Sequence, residues 1–129
     1  MPQCVTEIDF QNRFMVVATS KLPCRLWRQQ AGIIEPKRGG RMKLAPEGAS
    51  DICGVHTQRG TMIQIECKLR GRKATEQQLG WLAKMREFNA FAMAVRFDPN
   101  KPSEPQIEFA VYILGEVFNG TLYEFVNCY

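Results

Sequence analysis

The 129-residue sequence lacks the residues that several common kinds of site require. It contains one histidine, His56, and five scattered cysteines, Cys4, Cys24, Cys53, Cys67 and Cys128, with no C-x-x-C pair. This odd, unclustered set argues against a disulfide framework and against a zinc site. Reduced thiols are therefore the expectation.

Long apolar runs and targeting signals are also missing. No stretch approaches the length of a membrane span, and the N-terminus has no charged segment followed by an apolar one. We therefore expect a cytoplasmic protein. With 129 residues, of which 45% are hydrophobic, the chain can bury a core as one domain, residues 1–129.

Acidic residues are scarce in the first three quarters of the chain. Residues 1–97 hold 16 Lys and Arg against 8 Asp and Glu, a net charge of +8, whereas residues 98–129 hold one Lys against five acids, a net charge of −4. The asymmetry indicates an anionic partner for the first part, although a solvated basic face explains the charge equally well.

Residues 51–57 and 61–68 have the pattern of a β-hairpin, two apolar runs separated by a short polar loop with a glycine. Because side chains alternate between faces, Glu66 and Lys68 share one face and Cys67 points the other way. Asp51 joins that face if it lies opposite Glu66 or Lys68, which requires an even-length loop. His56 has the opposite parity, which disfavours a Ser/His or Cys/His catalytic pair.

If the register is right, two carboxylates and an ammonium group converge at one end of the hairpin. Carboxylate and carbonyl oxygens suit Mg²⁺ or Mn²⁺, and such a site can act on a phosphate. The spacing alone is a weak signal, since most such patterns are solvated strand charges or ion pairs.

Three motifs strengthen this interpretation. Gly48-x-x-Asp51-Ile-x-Gly54-Val, Ile65-Glu66-x-Lys68 and Thr75-x-x-Gln78-x-x-Trp81-Leu82 occur in this order, after Glu7-x-x-x-Gln11 and Leu26-Trp27-Arg28-x-x-x-Gly32. Together they closely resemble the VRR-NUC family, a branch of the PD-(D/E)XK nucleases. The resemblance covers roughly residues 5–97, and it implies an α/β fold in which a mixed β-sheet is flanked by helices around a restriction-endonuclease-like core.

The resemblance also implies roles for individual residues. The catalytic set would be Glu7, Asp51, Glu66, Lys68 and Gln78, and the metal ligands would be Glu7, Asp51, Glu66 and the Cys67 carbonyl. Two members have simpler explanations: Glu7 is favourably placed at the start of a helix, and Gln78 completes a capping box with Thr75.

Basic residues around these motifs are candidates for nucleic-acid binding. They are Arg13, Arg28, a loop containing Lys37, Arg38, Arg41 and Lys43, and the turn containing Arg70, Arg72 and Lys73. Loops of this kind contact phosphates readily. Trp27 is expected to be core rather than a base-stacking platform.

The remaining elements follow from periodicity and turn signals. A helix is predicted over residues 5–20, capped by Thr6, then a strand within Leu22 to Ile34, a helix from Thr75 to near Asn89 and a buried strand Phe91 to Phe97. The last helix and strand imply a parallel crossover. After a loop over Asp98 to Pro105, residues 106–129 are predicted to form a β-hairpin around Asn119-Gly120 that is apolar on both faces. One face is expected to pack on the domain, and the other face or the edge to pair with another subunit.

These observations favour a Mg²⁺- or Mn²⁺-dependent phosphodiesterase. The resemblance implies a homodimeric, structure-selective DNA endonuclease acting on branched, four-way-junction-like DNA in replication or repair. The alternatives are a nucleic-acid-binding module without hydrolytic activity and a non-enzymatic subunit of a protein assembly.

Overall fold

The protein is represented by a computed structural model that describes residues 6–29, 33–34, 39–40, 42–43 and 48–129. Three helices lie within these ranges: α1 Glu7–Lys21, α2 Glu76–Glu87 and α3 Ser103–Phe118. The strands are β1 Cys24–Arg28, β2 Ile33–Ile34, β3 Met42–Lys43, β4 Ile52–His56, β5 Met62–Leu69, β6 Phe91–Phe97 and β7 Phe125–Asn127.

Five strands form one mixed sheet in the order β1-β4-β5-β6-β7. The pairs β1/β4 and β4/β5 are antiparallel, whereas β5/β6 and β6/β7 are parallel. The predicted parallel crossover through α2 is therefore confirmed. The predicted strand over Leu22 to Ile34 is shorter than expected, because β1 ends at Arg28 and β2 pairs with β3 in a separate two-stranded sheet.

The register of the central hairpin matches the first of the two predicted alternatives. Ile52 lies opposite Ile65, and the same pairing continued by one residue places Asp51 opposite Glu66. Thr57 to Gly60 form the even-length loop, with the Gly60 N–H donating to the His56 carbonyl at 2.8 Å. Asp51, Glu66 and Lys68 therefore start from one face of the sheet, as predicted, and Cys67 points to the other.

The helix starts also agree with the sequence. Thr6 caps α1 by accepting from the Asp9 N–H at 3.1 Å. Thr75 caps α2 and forms the complete reciprocal capping box with Gln78. These local signals are strong because each satisfies backbone donors that a helix start otherwise leaves unpaired.

The main core lies between the sheet and the α1/α3 layer. Phe10 stacks on Phe97 with ring centroids 4.3 Å apart, and Ile65 and Cys67 are completely buried beside them, as their strand parity predicted. Helix α2 covers part of the opposite face, where Leu82 packs with the small residues Ala92 and Ala94. The sheet is therefore flanked by helices on both sides.

The predicted C-terminal β-hairpin is wrong, because most of its first strand is helix α3. Most of the apolar residues of this segment lie on one buried helical stripe, which includes Ile107, Val111, Leu114 and Phe118, whereas Phe109 and Tyr112 are exposed. The predicted loop over Asp98 to Pro105 is correspondingly shorter, since the helix starts at Ser103 and accommodates Pro105 in its first turn.

The Asn119-Gly120 pair terminates α3 rather than turning a hairpin. Gly120 has a φ of +99°, its N–H donates to the Val117 carbonyl, and the Thr121 N–H donates to the Glu116 carbonyl. This is the Schellman arrangement at a helix C-terminus. The predicted second strand survives in part as β7, but it pairs with β6.

None of the three helices in the described ranges is long and apolar enough to cross a membrane.

The helical assignment changes the expected effect of the substitution Val111→Arg. Val111 is buried, at 4% exposure, in the α1/α3 layer, so arginine there should lower the free energy of unfolding by about 2 to 4 kcal/mol. Tyr112→Arg is the matched control, since the neighbouring Tyr112 is 59% exposed and should tolerate the same change. Urea unfolding followed by circular dichroism measures both, and equal stabilities would contradict the helical packing.

Candidate metal and catalytic site

The polar cluster lies at the carboxyl end of β5. Asp51 immediately precedes β4 and faces Glu66, and Lys68 is two residues further along the same face of β5. The Lys68 Nζ lies 3.8 Å from the Glu66 Oε1. The structure therefore brings together the three residues on which the sequence interpretation depends.

Asp51 is held by the backbone of the neighbouring strand. Asp51 lies just before the start of β4, and its Oδ2 accepts a hydrogen bond from the Cys67 N–H at 3.0 Å. Because the N–H and C=O groups of one strand residue point to the same side, the Cys67 carbonyl faces Asp51 as well. The Cys67 side chain points into the core, so only its backbone can take part in the site.

Glu66 is a buried carboxyl group with half of its hydrogen-bonding capacity unused. Its side chain is almost completely inaccessible, and its Oε1 accepts from the Gln78 Nε2 at 3.1 Å. The Oε2 has no hydrogen-bond partner among the described residues. A buried oxygen in this condition needs an explanation, which a proton shared with Asp51 or a bound ion would supply.

Burial and the adjoining carboxylate raise the pKa of Glu66 from 4.5 to about 9. Loss of solvation is the largest cause, followed by the charge of Asp51 and a hydrogen bond shared with it, and Lys68 opposes the shift. Without a bound cation, a shift in this direction favours one proton on the Asp51–Glu66 pair at neutral pH. A strongly shifted carboxyl beside a second one is typical of a functional site.

Gln78 makes the contacts that both of its sequence interpretations require. Its Oε1 accepts from the Thr75 N–H at 2.9 Å, which completes the capping box, and its Nε2 donates to Glu66. One amide thereby fixes the start of α2 and orients the buried carboxyl. The capping and the active-site interpretations are compatible.

Glu7 reaches the same end of the sheet from α1. Its Oε1 accepts from the Leu69 N–H at 3.4 Å, and its charge contributes to the raised pKa of Glu66. Within the described residues, however, no three His, Cys, Asp or Glu side chains form a group that could hold a metal ion. The predicted role of Glu7 as a third metal ligand therefore stays a prediction.

The two glycines of the Asp51 motif are explained by close backbone approaches. A Cβ at Gly48, whose φ is +80°, would meet the Gln77 carbonyl oxygen at 2.5 Å, and one at Gly54 would meet the Arg25 carbonyl oxygen at 2.3 Å. Gly48 thus lets the segment before Asp51 pass against the first turn of α2. Gly54 lets β4 lie close to β1.

A second polar row beside the carboxylates was not identified from the sequence. Gln64, two residues before Glu66 on the same face, accepts from the Trp81 Nε1 at 2.8 Å and donates to the Cys53 Sγ at 3.3 Å. Strand parity from Glu66 could have placed Gln64 there. Ser50, whose buried hydroxyl has no partner among the described residues, had no such signal.

The predicted nucleic-acid contacts fall into three groups. In the turn after β5, Arg72 and Lys73 are exposed, whereas Arg70 pairs with Asp98 at 2.9 Å and lies over the Tyr129 ring. Arg28 is exposed at the end of β1, and Arg13 lies in a groove between α1 and α3. Lys37, Arg38, Arg41 and the Lys43 side chain lie outside the described residues; Met42 and Lys43 themselves form β3, within the segment predicted as a loop.

Trp27 is not the core residue that the sequence suggested. It is 50% exposed, because it lies on β1 at the edge of the sheet, on the face that α2 covers only in part.

Comparison with known proteins adds no relative. No family model, curated protein or solved structure matches this chain.

The raised pKa of Glu66 predicts an unusual dependence of stability on pH for the metal-free protein. Between about 4.5 and 9 the folded state binds one more proton than the unfolded state, so the free energy of unfolding should fall as pH rises, by up to about 1.4 kcal/mol per pH unit. Glu66→Gln should remove this slope and stabilise the metal-free protein at pH 8. Urea unfolding at pH 5 to 9 in EDTA measures the effect.

The exposed residue Glu87 provides the matched control. Glu87→Gln makes the same chemical change in an exposed pair with Lys84 and should leave the slope unchanged. A wild-type stability that rises from pH 5 to 8, or a destabilised Glu66→Gln, would show that Glu66 is an ionised structural partner.

Proposed function

We propose that this protein is a metal-dependent phosphodiesterase that acts on nucleic acid. The observation that carries the proposal is the Glu66 carboxyl, buried against Asp51 with its Oε2 unbonded among the described residues. Two carboxyl groups in this position repel each other unless a proton or a cation lies between them. A divalent cation would relieve the repulsion and occupy the unused oxygen.

The donor set fits Mg²⁺ or Mn²⁺. Asp51, Glu66 and the Cys67 carbonyl all supply oxygen, and Mg²⁺ is usually bound by one or two carboxylates with water and phosphate completing its shell. A cluster of three acidic side chains is therefore not required. The charge of Glu7 acts on Glu66, so Glu7 would support the site or extend it toward a second ion.

Each residue of the cluster has a defined part in this chemistry. A bound divalent cation would polarise the phosphate and lower the pKa of an attacking water. Lys68, largely buried and 3.8 Å from Glu66, can orient that water or neutralise charge on the phosphorane. Gln78 holds the Glu66 carboxyl in place from the first turn of α2.

The substrate side of the site is basic. Arg72 and Lys73 are exposed in the turn that directly follows β5. Arg28 is exposed at the same end of the sheet, but it lies opposite Ile52 and therefore starts from the other face. Cations at this end of the sheet would contact phosphates on either side of the scissile one.

The finer parts of the proposal rest on the VRR-NUC resemblance. They are a restriction-endonuclease-like core, branched DNA as the substrate, a role in replication or repair, and a homodimer. The proposed cytoplasmic location rests instead on the lack of long apolar runs in the sequence. The dimer contact predicted for a C-terminal hairpin is not available, because most of that segment is α3 and its residue Val111 is buried in the core. A two-fold symmetric junction still requires two opposed cuts, which a C2 dimer would supply.

A nucleic-acid-binding module without hydrolysis is the second candidate. It is favoured by a Glu66 that is neutral at pH 7 without a cation and that already accepts a hydrogen bond from Gln78. In that case Asp51 and Glu66 would be structural partners.

Cleavage assays separate the two candidates. The wild-type protein should cut labelled four-way, flap, single-stranded or linear duplex DNA with Mg²⁺ or Mn²⁺ and not with EDTA. Asp51→Asn and Lys68→Ala should each lower turnover by about 100-fold or more, the first by removing a ligand and the second by removing a substrate-side cation. Lys68→Ala should still bind Mn²⁺ in isothermal titration.

Lys84→Ala is the control for loss of a cation. Lys84 is exposed and pairs with Glu87 on α2, so its removal should leave turnover unchanged. Binding of DNA without cleavage under every metal condition would support the binding module. A Lys68→Ala protein that binds Mn²⁺ poorly yet cleaves DNA at saturating Mn²⁺ would contradict the substrate-side role of Lys68.

A further inference from the structure

Part of the sheet face that carries the carboxylates is not covered by any helix of the described residues. Helix α2 packs on β5 and β6, and beside it a pocket of about 450 Å³ opens over β1 and β4. Its volume lies in the range of small-molecule pockets. Trp27 and Met62 are half-exposed in it, at 50% and 51%.

The pocket has an aromatic floor and one polar wall. Trp27 lies on β1 opposite Cys53, and Trp81 and Met85 approach from α2. The Trp81 Nε1 is bonded to Gln64, so its ring is fixed in orientation. The Gln29 side chain, which accepts from the Cys53 Sγ at 3.2 Å, brings an amide to the rim.

The pocket is one step along the strands from the carboxylates. Gln29, Asp51 and Glu66 form one row across β1, β4 and β5, and Trp27, Cys53 and Gln64 form the next row on the same face. Two residues of a strand separate the rows by about 7 Å. A single nucleotide can span this distance.

Positive charge continues beyond the aromatic floor. Arg25 precedes Trp27 by two residues, so it shares the same face in the third row, and it is exposed. The order along this face is then carboxylate pair, tryptophan and arginine. Proteins that bind unpaired nucleic acid combine aromatic platforms for the bases with basic residues for the backbone, and Trp27 and Arg25 supply one of each here.

We infer that this pocket binds an unpaired nucleobase adjacent to the scissile phosphate, with Trp27 as the stacking platform. The inference rests on the proposed function and adds to it a preference: the strand that enters the site must have at least one base free of pairing. A blunt duplex would present no base to Trp27.

Binding experiments without cleavage test the inference. A single-stranded oligonucleotide carrying one 2-aminopurine and the matching blunt duplex would be titrated with protein, in EDTA and in Ca²⁺. The wild type should bind the single strand more tightly and quench 2-aminopurine fluorescence. Trp27→Ala should weaken single-strand binding by about tenfold or more and leave duplex binding unchanged, whereas Trp27→Phe should retain most of the affinity.

Phe88→Ala is the matched control, because Phe88 is an aromatic residue on the α2 C-terminus, 67% exposed and outside the pocket. Equal effects of Trp27→Ala and Phe88→Ala, no effect of Trp27→Ala, or no single-strand binding would overturn the inference. So would a change in particle mass by light scattering in Trp27→Ala, which would assign Trp27 to a contact between copies. If the protein prefers single strands through Trp27 but cleaves no DNA, the proposed hydrolysis is wrong and the inferred nucleobase pocket is supported.

Discussion

The antiparallel pairing of β4 with β5 is the constraint on which the site depends. With Ile52 opposite Ile65, the buried faces of both strands point to the α1/α3 core, and Asp51 is left opposite Glu66 on the other face. A shift of one residue would exchange every side chain between core and site. Burial of the core side chains stabilises this strand register, and the register in turn holds the two carboxyl groups together.

Helix α2 turns this pair into a buried site. Thr75 and Gln78 cap the helix, and the same Gln78 reaches Glu66, so the helix start and the carboxyl are positioned by one side chain. Burial raises the pKa of Glu66 and leaves its Oε2 unbonded among the described residues. This arrangement is costly for the fold unless a proton or a cation occupies it.

The elements that the sequence predicts well are those with local signals. Strand parity and an even-length loop are enough to put Asp51 beside Glu66, and a capping box is enough to put Gln78 in the first turn of α2. The C-terminal segment failed because an apolar run of this length fits a helix or a buried strand, and Asn-Gly ends helices as well as turning hairpins. The exposure of Trp27 depends on which strand is at the sheet edge and on how far α2 extends, and neither is encoded near Trp27 itself.

The central claim is that the Asp51–Glu66 pair holds a proton that a divalent cation replaces. Isothermal titration with Mn²⁺ at pH 7, in buffers of different ionisation enthalpy, counts the protons released on binding. Since the pKa of Glu66 is raised to about 9, the account predicts release of about one proton per ion, and none in Glu66→Gln. Binding without proton release, or no binding at millimolar Mn²⁺, would contradict it.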